Sequence, residues 1–177
     1  MHSNRQDWAA RPLAIPRALR QWLCDRGSLT RCLQARCSGF RVQALATGRG
    51  QPHADETHLL GLACGQPAYF RNVLLHCGET PVVFAHSVLP LSALRGGWKR
   101  VTRLGNRSLG EALFRNPRIQ RQSLAFCRIR RAHPLHRALA QHHPEVPAAL
   151  WARRSVFGLR GHPLLVTEVF LPAVEAL

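Results

Sequence analysis

The sequence predicts an α+β domain, with one antiparallel sheet carrying helices on a face or over its ends. Three observations lead there. About six short runs have strand character, and all of them can be joined antiparallel. Short helices, punctuated by Pro and Gly, are inserted between them. There is no regular β-α-β alternation, no G-x-G-x-x-G and no G-x-x-x-x-G-K-[ST], which speaks against a nucleotide-binding parallel sheet.

The elements follow in order. Residues 1–12 are expected to form a loose tail, with a single domain from 13 to 177. Pro16 opens a helix whose apolar side is Leu19, Trp22 and Leu23, and Gly27 stops it. Ser28 is the N-cap of a second short helix with Leu29, Cys32 and Leu33 on one side. Phe40 to Leu45 alternates as a first strand, and Thr47 to Asp55 reads as a loop. Asp55 is expected to cap a helical turn reaching Leu62. Ala68 to Cys77 and Pro81 to Leu89 form a hairpin around Gly78-Glu79-Thr80. Ser108 and Glu111 make an S-x-x-E capping box for a helix ending near Asn116. Gln122 to Arg130 is a further strand, followed by an exposed, His-rich helix from Pro134 to His142. The last unit, Trp151 to Pro172, is a hairpin turning at Arg160-Gly161-His162, where Gly161 supplies a positive φ.

Composition narrows the classes. A chain of 177 residues with 46% hydrophobic content suits one domain with a real core. No apolar run reaches the roughly 18 residues of a membrane span, so no stable membrane insertion is expected. The polar start lacks the apolar region of a secretory signal, and a cytoplasmic, monomeric protein is expected. Six cysteines without a C-x-x-C pair read as free, mostly buried thiols. No matched cysteine pair faces His133-x-x-His136 or His142-His143, so no metal is assigned. The net charge of +16, almost entirely from arginine, favours anionic partners. The basic residues are dispersed, however. Even the dense pieces, Arg128 to Arg131 and Arg153-Arg154, read as solvated surface, and no nucleic-acid partner is expected.

Two residues carry the chemical interest. Glu168 and Arg71 each sit inside a strand with apolar neighbours, where a charge is costly unless paired. Leu164, Val166, Glu168 and Phe170 share one strand face. If Arg71 and Glu168 face one cavity, the guanidinium suits a ligand carboxylate and the glutamate a hydroxyl at the other end. The alternative is a plain buried Arg71–Glu168 ion pair. His86 reads as a core or edge histidine, and Ser108 as a cap rather than a nucleophile.

The ordered motifs resemble one family. Gly27-Ser28-Leu29-Thr30, Tyr69 to Leu75, Ser87-Val88-Leu89-Pro90, Ser108-Leu109-Gly110 with Leu113-Phe114, Trp151 to Ser155 and Pro163 to Pro172 are together similar to the bacterial chorismate–pyruvate lyases. The resemblance covers nearly everything from Pro16 to Pro172. It implies a six-stranded antiparallel sheet with helical flaps over a buried pocket. It also implies cofactor-free conversion of chorismate to 4-hydroxybenzoate and pyruvate, the first committed step toward ubiquinone. By the same resemblance, Arg71 grips the ring carboxylate and Glu168 stands at the hydroxyl end as base or clamp. Leu29 and Leu109 are flap positions that cover the ligand. His86 sits where the best-known member of the family has arginine, and no role is assigned to it. A related architecture serves as the effector-binding module of some transcription regulators. A non-catalytic sensor of small aromatic acids is therefore the alternative, although residues 1 to 15 are too few for a DNA-reading domain.

Overall fold

A computed structural model of the chain describes residues 8–11 and 14–177. Six strands form one antiparallel sheet: β1 (Phe40–Gly50), β2 (Ala68–Cys77), β3 (Thr80–Pro90), β4 (Gln120–Arg130), β5 (Ala149–Leu159) and β6 (His162–Phe170). Their spatial order is β1-β2-β3-β6-β5-β4, so the C-terminal strand β6 lies inside the sheet, between β3 and β5. Five α-helices are added: α1 (Arg17–Cys24), α2 (Leu29–Arg36), α3 (Ala54–Thr57), α4 (Leu109–Arg115) and α5 (Pro134–Ala140). The β5–β6 hairpin turns on two residues with positive φ, Arg160 at 51° and Gly161 at 79°. That geometry matches the twist of the flanking strands. Among the described residues no helix is long and apolar enough to cross a membrane.

The sheet separates two layers. On one face lie α1, α2 and α4. Leu19, Trp22, Leu23, Leu29 and Leu33 pack there on Val73, Leu75, Val83 and Ala85. Leu109 and Leu113 join Tyr69, Phe157, Leu164 and Val166 in a second cluster. On the other face Leu135 and Leu139 of α5 pack on Leu74, Phe84, Cys127, Ala152 and Val169. Leu60, in a 3-10 turn after α3, packs on Ala68, Val88, Val156 and Leu165.

Several sequence expectations need correction. The first strand does not end at Leu45. A bulge between Ala44 and Ala46 keeps it in register, and it pairs with β2 out to Gly50, so residues 47–50 are strand rather than loop. The Glu111 side chain does not complete a capping box; it pairs with Arg115, while Ser108 Oγ still accepts from the Glu111 amide at 3.3 Å. The helix from Pro134 is not simply exposed, since Leu135, His136 and Leu139 are buried. The cysteines are not all free or mostly buried. Cys37 and Cys77 form a disulfide tying the end of α2 to the end of β2, and Cys24 and Cys64 are exposed. Of the tail expected at 1–12, residues 1–7 and 12 lie outside the described residues. Within it, Ala9 bridges Phe126 on the β4 edge through bonds of 2.9 and 2.8 Å.

Candidate active site

Strand alternation decides which side chains meet. Arg71 on β2 stands opposite Ser87 on β3, and Ser87 opposite Val166 on β6. Two residues further along, Val73, Ala85 and Glu168 form the next row of the same face. The sheet floor under the flaps therefore carries Arg71 and Glu168 one row apart, with β3 between their strands. Both line one narrow, largely covered cavity, together with Val42, Ser87 and Val166 from the sheet and Leu29, Thr30, Leu109 and Leu113 from the helices. Its open volume is about 40 Å³.

The roof is two helix starts. Ser28 caps α2, accepting from the Arg31 amide at 3.4 Å, and Ser108 caps α4. Their first residues, Leu29 and Leu109, cover the cavity and are almost fully buried. The two flaps touch through Thr30 Oγ1 and Ser108 Oγ, 2.6 Å apart. Gly110 makes this approach possible, because a Cβ there would lie 2.5 Å from Thr30 Oγ1.

Arg71 and Glu168 are not an ion pair. Arg71 is 1% exposed and donates to the carbonyls of Gly105 (2.9 Å) and Arg107 (2.8 Å), just before α4. Its buried Nε has no hydrogen-bond partner, and among the described residues no carboxylate pairs with it. Burial presses its pKa below the usual arginine range. Glu168 instead accepts from Arg153 Nε at 2.5 Å. Arg153, directly opposite on β5, is fully buried. Its Nη1 donates to the carbonyls of Trp22 (2.8 Å), Leu23 (3.4 Å) and Asp25 (2.7 Å), at the end of α1. A cation suits a helix C-terminus, so Arg153 fixes the first flap and aims the Glu168 carboxylate.

The expectation that Arg153-Arg154 is solvated surface is thus overturned. Arg153 serves this face, and Arg154, also buried, pairs with Asp55 at 2.9 Å on the other. Arg121 was passed over as well. It lines the cavity, lies over the rings of Phe114 and Phe157, and donates to Arg26 O at 2.6 Å in the first flap. Burial foremost, with the Arg153 charge behind it, lowers its pKa. His86 faces away from this cavity, as its even position on β3 requires.

Comparison with known proteins agrees with this architecture. The family model described as "Chorismate lyase" matches residues 3–175. A protein of Thiobacillus denitrificans named probable chorismate pyruvate-lyase is 53% identical, covering 94% of this chain and 89% of that one. Another of the same name, from Nitrosomonas europaea, is 47% identical over 96% of both chains. Among solved structures, PhnF from Mycobacterium smegmatis has a TM-score of 0.58 at 19% identity, covering 84% of this chain and 65% of that one. The ligand-binding domain of a GntR-family regulator from Bordetella bronchiseptica reaches 0.52 at 17% identity, covering 76% and 86%. At such identities these likenesses speak to the fold alone.

Proposed function

The chain belongs to the chorismate lyase family, and on that ground we propose that it converts chorismate to 4-hydroxybenzoate and pyruvate on the flap-covered face of the sheet, supplying the ring of ubiquinone. The observation that carries the site assignment is Arg71, a buried guanidinium with no carboxylate of its own among the described residues, sharing a narrow, largely covered cavity with Glu168. A buried cation is costly without an anion, and a ring carboxylate supplies one. Leu29 and Leu109 close over the ring, as Thr30 and Ser108 hold the flaps together.

The reaction breaks the ring-to-oxygen bond of the enolpyruvyl ether and removes the proton from the hydroxyl-bearing carbon. The ring becomes aromatic, and the departing enolpyruvate takes a proton to become pyruvate. Glu168, held by Arg153, stands at the hydroxyl end to accept a hydrogen bond or that proton. Chorismate carries two carboxylates, and the cavity has two guanidinium walls. Arg71 takes the ring carboxylate, and Arg121 attracts the one that leaves. Exclusion of water by the flaps strengthens these contacts. The cavity is far below the roughly 300–1,000 Å³ of open ligand sites. The flaps must therefore part to admit substrate, and product release is a candidate rate-limiting step.

Residues 8–10 cover part of the β4 edge, which supports a monomer by limiting strand-to-strand association. A cytoplasmic setting without nucleic-acid partners completes the reading. The test is direct. Purified protein given chorismate alone should release 4-hydroxybenzoate and pyruvate in equal amounts. No product at high protein concentration would overturn the proposal.

A further inference from the structure

The opposite face of the sheet carries a second polar cluster that the lyase reading does not use. The side chains of Asn72, His86, Thr167 and Arg154 form one row across β2, β3, β6 and β5. Above the row sits α3. The Glu56 carboxylate is almost fully buried; its Oε2 accepts from the His53 amide at 2.8 Å, closing the first turn. Its Oε1 faces two imidazoles, lying 3.4 Å from His53 Nδ1 and 3.3 Å from His86 Nε2. All three ligand atoms lie within 4.8 Å of one another. Both ring nitrogens are buried, and among the described residues neither meets a partner outside the α3 start and its Glu56.

We propose that His53, Glu56 and His86 form a binding site for one divalent ion of the zinc class. Two further features fit. His86 Nδ1 lies 2.5 Å from Asn72 Oδ1. An amide oxygen only accepts, so Nδ1 donates to it, and Nε2 is the ring nitrogen turned toward Glu56 Oε1. Such a partner behind a metal-binding histidine is the usual way its tautomer is fixed. The two spacings to Glu56 Oε1, 3.4 and 3.3 Å, also fit. Zinc–nitrogen and zinc–oxygen bonds of about 2.0–2.2 Å in a tetrahedron place neighbouring ligand atoms roughly 3.3–3.6 Å apart. A cation between the three atoms meets one carboxylate oxygen and two ring nitrogens in a buried place. The His53 and His86 rings are stacked at 5.2 Å, which holds the two imidazoles side by side against the same carboxylate. A cavity of about 180 Å³, lined by Gln51, Pro52, His53, Phe70, Asn72 and His86, gives the ion a path and room for a water on its open side.

The site is separate from the lyase chemistry, so its test must not depend on turnover. Untagged, chelator-stripped full-length protein is titrated with Co²⁺ and with Zn²⁺. The expected result is one equivalent bound, a visible absorption band of low-coordinate Co²⁺, and a rise in the thermal midpoint with Zn²⁺. The affinity should fall at least about tenfold in Glu56→Gln and in His53→Gln. His53 is the more exposed ligand, so that variant keeps the probe usable if Glu56→Gln fails to fold. Lyase turnover should be the same before and after chelation. Two results overturn the inference: no binding up to about 100 times a micromolar affinity, or binding undiminished in His53→Gln, which would place the ion on the surface histidines His142 and His143.

Discussion

The two faces of the sheet are built alike and differ in what their charges do. On each, polar side chains lie between two apolar clusters. Under α3 and α5 the row is largely closed on itself, with Arg154 on Asp55 and His86 on Asn72. Under the flaps the Arg153–Glu168 pair is likewise made, but Arg71 has only backbone carbonyls. The difference falls between adjacent residues: Arg71 and Asn72, Arg153 and Arg154, Thr167 and Glu168. What distinguishes the flap face is a cation left, among the described residues, without a protein counterion, which suits an anionic substrate; the far face leaves donor atoms around a carboxylate instead.

The comparison is sharpest at Glu168. Glu168→Gln should reduce chorismate turnover by about 100- to 1,000-fold, the range for a lost acid–base or charge-stabilising group. A glutamine oxygen still accepts from Arg153 but leaves that fully buried guanidinium without its anion, so unfolding free energy should drop by about 2–4 kcal/mol. A denaturant curve beside steady-state rates separates the two, and collapse of the fold at unchanged specific turnover would make Glu168 purely structural. Next comes Arg71→Met, which should weaken 4-hydroxybenzoate binding about 100-fold through two lost charge-assisted bonds. Calorimetric titration reads it, and unchanged affinity would remove Arg71 from the site.

Smaller effects probe the roof and the far face. Gly110→Ala should weaken product binding about tenfold, since its Cβ forces Thr30 away and parts the flaps by a few contacts. Adding Thr30→Ala should restore part of the loss, and an identical double variant would show that flap closure does not turn on this contact. Smallest for turnover is Asp55→Asn. Removing the charge that faces the buried Arg154 guanidinium should cost about 1–3 kcal/mol of stability, with kcat/KM unchanged. A large fall in turnover there would mean that the two faces are not independent.

Much of this was legible in the sequence. Six strands, the hairpins and the serine caps followed from period-two alternation and turn residues. Arg71 and Glu168 stood out as charges within apolar strands. Arg153 did not, because Arg153-Arg154 reads as a surface pair until alternation is applied to it, sending one arginine to each face. Its flanks, Trp151-Ala152 and Ser155-Val156-Phe157, held that signal. The extension of β1 was hidden by Thr47, Gly48 and Gly50, which look like a loop and become strand because β2 offers partners. The Cys37–Cys77 bridge spans 40 residues, and only the pairing of β1 with β2 brings its ends together. His53-x-x-Glu56 is masked in the sequence by Asp55, an apparent cap; in the structure His53 is the N-cap and Asp55 pairs with Arg154.

The central claim is that substrate binds beneath the flaps and not in the cavity on the other face. Amide NMR of the full chain titrated with 4-hydroxybenzoate tests it most directly. The account predicts saturable shifts at Leu29, Thr30, Arg71, Ser108, Leu109 and Glu168, with Gln51, His53 and Leu135 unmoved. Shifts confined to Gln51, His53 and His86, with the flap amides silent, would contradict it.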